Sequence, residues 1–118
     1  MRRMVLGLVF GALVVGSLPL KAEVKTLKGE VVDQTCFLKD KTNRGKDHED
    51  CTESCMKKGK AAALVTEDGT VYTITGKYTD AKNAKLVPFA SKMVEMKGDV
   101  SENGGTKSIN AESVTEAK

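Results

Sequence analysis

The single histidine of this 118-residue chain and two of its three cysteines fall in one short stretch, "HEDCTESCMKKG", residues 48–59. On a helix of 3.6 residues per turn, His48, Cys51 and Cys55 stand at i, i+3 and i+7 and share one stripe. The third cysteine, Cys36, lies before them, just past an apolar strand pattern. A loop that returned Cys36 to the stripe would assemble one nitrogen and three sulfurs. Such a Cys3His set (Cys36, His48, Cys51 and Cys55) suits a closed tetrahedral zinc site, and its soft thiolates also suit Cu(I). Met56, Met93 and Met96 could lend a thioether to copper, although filling a core is the ordinary use of methionine.

Two other chemistries compete for the same side chains. In an oxidising compartment cysteines are ordinarily disulfides, and Cys36 could bridge Cys51 or Cys55, closing a loop that adds roughly 3 kcal/mol. Cys51 with Cys55 is less suitable, because side chains one helical turn apart run nearly parallel. Three cysteines cannot all pair within one chain, so a bridge leaves a thiol over. That leftover, Cys51 or Cys55, could act as a redox-active thiol beside the histidine. No C-x-x-C, C-x-x-C-H or phosphate-loop pattern is present, no orienting third group accompanies a Cys-His pair, and no catalytic residue is assigned.

The stripe needs a helix to carry it, and the stretch has the signals of one, about three turns long. Asp47 stands at the N-cap position with Asp50 three residues on, acids crowd the first turn, and Lys57 and Lys58 occupy the last. Gly59 suits the left-handed stop. Before it, "VKTLKGEVVD" (24–33) alternates as a strand with an internal glycine, a mark of a bulge or bend. "QTCFLKDKTNRGK" reads as a surface loop. After the helix, "AAALVTEDGTVYTITG" holds two β-rich runs around Asp68-Gly69, a hairpin signal. Residues 81–91 read as a short helix or turn, with Pro88 arguing against a long one. "MVEMKGDV" and "TKSINAESV" form a last pair about an Asn-Gly-Gly turn, with Val94, Met96, Gly98 and Val100 on one face.

Five short strands with a helical connection before the fourth predict a mainly β fold: a small five-stranded OB-like Greek-key barrel with a short helix inserted after the first strand. An open α+β sheet of five strands is the alternative.

The chain opens "MRRMVLGLVFGALVVGSLPLKAEV", a basic start, an uncharged run from Met4 to Leu20 and a small-residue exit. This describes a secretory signal peptide, 1–22, cleaved after Ala22, and places the remaining single domain, 23–118, in the periplasm or outside the cell. The apolar run is marginal for the roughly twenty residues of a membrane span, so no stable span is expected after cleavage. The segment also carries Arg2, Arg3 and Lys21 and no acid. The formal charge of +3 therefore falls to zero in 23–118, with 16 basic against 16 acidic residues. That removes the electrostatic case for a nucleic-acid partner. A metal ion is the partner expected from the cysteines and histidine, and the competing reading is a disulfide-stapled, metal-free module that binds a peptide, glycan or membrane through its barrel face. With no Trp and few other aromatics, the core must be mostly aliphatic and thin, a setting in which a metal or disulfide is a sensible supplement.

The residues "GEVVDQTC", then "HEDCTESCMKKGKAAALVTEDGTVYTI", then a closing V-x-x-x-G-x-V hairpin resemble a group of small exported bacterial proteins. These share G-x-[VI]-x-D-x-x-C followed by H-x-x-C-x-x-x-C-x-x-x-G and a short β-rich tail. The resemblance spans nearly all of 23–118, and Asp33, Cys36, His48, Cys51, Cys55 and Gly59 fit its pattern. It implies export and a joint role for the cysteines and histidine, and it supplies no reaction. Asp33 could support the histidine from behind or simply shape the end of the strand. The closing hairpin is also similar to that of stress-related periplasmic OB-fold proteins, which lack this cysteine and histidine set.

Overall fold

The structure is a computed structural model that describes residues 23–117; the expected signal segment, 1–22, lies outside the described residues. Five strands form it: β1 (Glu23–Asp33), β2 (Ala62–Thr66), β3 (Val71–Thr75), β4 (Met93–Asn103) and β5 (Thr106–Glu116). They close into a ring in the order β1-β2-β3-β5-β4, with β4 returning to β1. All pairs are antiparallel except β3 with β5, which run parallel. This is the mainly β, five-stranded closed ring expected, with short helices inserted after the first strand, and the open sheet is excluded by the β1–β4 pairing.

Ring closure depends on β1 serving two neighbours. Its first part pairs with β4, its last part with β2, and Gly29 pairs with both Val94 and Thr66. A Cβ on Gly29 would stand 2.5 Å from the Val65 carbonyl oxygen, so only glycine lets the two backbones meet there. The internal glycine that the strand pattern singled out is thus the corner of the ring.

Two apolar clusters hold the fold. The larger fills the ring with Val31, Leu64, Ile74, Val94, Met96 and Ile109 among others, and helix α2 (Glu49–Lys57) lowers Met56 into it. The smaller lies on the outer face of β1 and β2, where Val32, Ala63 and Val65 pack under Phe37. Phe37 comes from a helix that the sequence had read as loop: α1, Gln34–Lys39. The polar composition of that stretch hid one decisive feature. Asp33 has extended backbone and its carboxylate caps the turn that follows, which lets a short helix start directly off the strand.

Helix α2 is shorter at its start than expected. Lys46–His48 form a 3-10 turn, His48 rather than Asp47 occupies the N-cap position, and no side chain caps it. Its end follows the sequence signals. Gly59 takes φ +88°, and its N–H donates to the Met56 carbonyl at 2.9 Å. The connection from β3 to β4 is a run of tight turns rather than a helix: Lys77–Thr79, then Ala81, Lys82 and Asn83 in left-handed backbone, then Val87–Phe89 around Pro88. Buried Asn83 uses its Nδ2 to donate to the carbonyls of Met56 and Lys60, both at 2.9 Å. It thereby ties the end of α2 to the connection between β3 and β4.

The aromatics of the described residues serve mainly as packing. Phe37 is buried, Tyr78 and Phe89 pack against the inner core, and partly buried Tyr72 packs against it as well while bordering shallow surface grooves. Among the described residues, no helix is long and apolar enough to cross a membrane.

Candidate metal centre

Asp33 ends β1, Cys36 lies in the first turn of α1, and Cys55 lies in the last turns of α2. One ligand atom from each, a carboxylate oxygen and the two sulfurs, all lie within 4.8 Å of one another. No pair of sulfurs is bonded; all three cysteines are free thiols.

Local structure explains each position. A residue at the N-cap of a helix turns its side chain back over the first turn, toward the third helical residue. Asp33 does so: Oδ2 accepts the Cys36 backbone N–H at 3.1 Å, which brings the carboxylate beside the Cys36 side chain. Cys36 is fixed in turn by its own carbonyl, which accepts from the Asp40 N–H at 3.0 Å and from Asn43 Nδ2 at 3.2 Å. Cys55 arrives because its neighbour Met56 is anchored in the inner core.

The electrostatics are unusual for so small a domain. Asp33 is only 2 % exposed, and its Oδ1 has no hydrogen-bonding partner, while the Cys36 thiol makes a weak contact with the carboxylate. A buried carboxylate oxygen without a donor is destabilising unless a proton or cation meets it. Its effect is felt by the thiol opposite. Hydrogen bonding to Asp33, then loss of solvent, then the charge of Asp33 and the proximity of Cys55 push the Cys36 thiol up to about 11. Among the described residues, Asp33 takes part in no ion pair. The Arg44 cation is engaged elsewhere: its Nε donates to Glu30 at 2.9 Å, and Glu30 also accepts the Gly45 N–H.

Of the four residues singled out by spacing, the structure brings two together. Cys36 and Cys55 meet; Cys51, one turn earlier on α2, is exposed, and half-buried His48 stands at the start of that helix. Neither belongs to the cluster of three. The charge of His48 acts instead on Asp40, whose carboxyl is held below its usual range mainly by the Thr42 hydroxyl and N–H, with His48 a smaller cause. Asp33, considered as support for the histidine, lies with the sulfurs. The signal that could have found it is the D-x-x-C spacing at a strand end, since N-cap and third helical residue are side-chain neighbours.

Comparison of the chain with protein-family models, with curated proteins and with solved structures found no match.

Proposed function

We propose that this protein is a small exported metal-binding domain that holds a thiophilic cation, zinc or Cu(I), through Cys36, Cys55 and Asp33. The observation that carries the reading is the convergence of two thiols and a buried, under-partnered carboxylate within 4.8 Å. Around a tetrahedral zinc with bonds near 2.3 Å, two sulfurs stand about 3.8 Å apart. The three donors, within 4.8 Å of one another, already stand close to that spacing. A bound cation would neutralise Asp33 and displace the thiol protons.

The fourth position belongs to the remaining members of the set. His48 and Cys51 sit on the helix stripe that contributes Cys55, and either reaches the ion only if the start of α2 adjusts. Zinc is the better match to a donor set containing a carboxylate and an imidazole, whereas Cu(I) would use the sulfurs alone. Export rests on the opening segment, with its basic start and apolar run.

The reading is tested by native mass spectrometry of the reduced protein titrated with Zn(II). One zinc per chain is expected, lost on acidification. Cys55→Ser or Cys36→Ser should abolish the complex, and Asp33→Asn should weaken it at least tenfold. His48→Ala and Cys51→Ala then assign the fourth donor, since only the variant lacking that donor loses affinity. Wild-type binding unaffected by Cys36→Ser and Cys55→Ser would dismiss the site.

A further inference from the structure

The same geometry bears on what happens when no metal protects the thiols. Cys36 and Cys55 are both half-buried rather than sealed, and their sulfurs face each other across the gap between α1 and α2. Cys51 is exposed and outside the cluster. Its nearest cysteine in sequence is Cys55, one turn along the same helix, where the two side chains run nearly parallel rather than toward each other. Of the three pairings that sequence allows, the fold therefore favours one.

We propose that Cys36 and Cys55 form a dithiol that an external small disulfide converts to an intramolecular bridge, with Cys51 left as the free thiol. The exchange balances simply. One cysteine sulfur, as its thiolate, attacks the external disulfide, forming a mixed disulfide and releasing one thiolate. The other cysteine sulfur, giving up its proton, then attacks the bonded cysteine sulfur and expels the second thiolate. Two protein thiols are oxidised by two electrons, and one external disulfide is reduced to two thiols. The bridge draws α1 and α2 together by closing sulfurs now within 4.8 Å to bonding distance, while Asn83 and Met56 hold the end of α2 in place.

A second consequence rests on the metal-binding reading. Bridge and cation need the same two sulfurs, so each excludes the other, and Asp33 alone retains nothing. Oxidation then acts as release, and a bound ion as protection.

The experiment treats reduced, metal-free protein with oxidised glutathione and maps linked peptides under non-reducing conditions. Wild type and Cys51→Ala should both yield a Cys36–Cys55 peptide, with Cys51 the residue found free or glutathionylated. A dominant peptide linking Cys51 to either cysteine, or loss of closure in Cys51→Ala, would overturn the assignment. Because Cys51 is exposed, that variant retains the fold, and a thermal melt checks it. Preloading wild type with one equivalent of Zn(II) should slow bridge formation at least tenfold and prevent it at saturation. Unslowed bridging in protein shown by native mass spectrometry to carry zinc would overturn the exclusion. Protein that takes up no zinc but still forms the Cys36–Cys55 bridge would separate the two ideas, ending the metal reading while upholding the dithiol.

Discussion

At the level of single residues, Asp33 carries three duties: it ends a strand, starts a helix and presses a carboxylate against a thiol. The last has a chemical signature in the free protein. The Cys36 thiol is raised from 9.0 to about 11, so near pH 8 its thiolate fraction is roughly a hundredfold below that of an unperturbed cysteine. Iodoacetamide should label exposed Cys51 first and Cys36 far more slowly, as followed by peptide mass spectrometry. Asp33→Asn should narrow the gap; equal rates in the wild type would show that the carboxylate does not act on that sulfur. The sign for stability follows. A folded-state value above the unfolded one means that the protonated thiol favours the folded chain below about pH 9. That contribution fades as pH rises toward 11.

The residue scale is also where sequence reasoning was partial. Type and spacing singled out all the sulfurs, and the strand-end Asp33 was noticed, but linear periodicity treats a helix stripe as if the whole stripe faced one object. In the fold only Cys55 of that stripe meets Cys36; Cys51 is exposed, and half-buried His48 stands outside the cluster. Glu30 escaped for a related reason. It lies in the strand pattern of β1, yet the loop carrying Arg44 and Gly45 returns to it, and it is buried. No local pattern shows that a loop returns.

At the scale of elements, α2 is a short helix held by both ends of the molecule's interior. Met56 enters the core, and the connection between β3 and β4 donates Asn83 to the carbonyls at its terminus. The sequence made both hairpins and the Gly59 stop legible, since those depend on neighbours in the chain. Asn83 was not legible: its partners lie more than twenty positions away, and its own left-handed backbone follows two other non-glycine residues in the same conformation. Asn83→Ala should remove the side-chain donor from the Lys60 carbonyl and one of two donors from the Met56 carbonyl, which keeps the Gly59 N–H, and destabilise the fold by about 1–3 kcal/mol. Urea unfolding measures this, and a loss below a few tenths would mean that water replaces the amide without penalty. If the helix end also loosens, zinc affinity should fall in the same variant, because Cys55 adjoins Met56.

At the scale of the whole molecule, the ring makes distant segments mutually dependent. Counting five β-rich runs and one helical connection pointed to a small closed ring and left an open five-stranded sheet as the alternative, because local patterns do not say which strands pair. The count also left open the joint itself, which the structure locates at Gly29. Gly29→Ala places a methyl against the Val65 carbonyl, and either β1–β2 or β1–β4 must part. An overpacked site of this kind is expected to lose about 1–3 kcal/mol, read as a lowered urea midpoint. An unchanged midpoint would mean that the strands adapt at the corner.

The parallel contact between β3 and β5 has a consequence for biogenesis. It is the seam that the last strand seals, so until residues 106–116 have emerged and docked, β3 and β4 each keep a flank of unanswered amides and carbonyls. A nascent or truncated chain stopping short of that strand would offer two sticky borders to its neighbours. It should therefore clump far more readily than the finished protein.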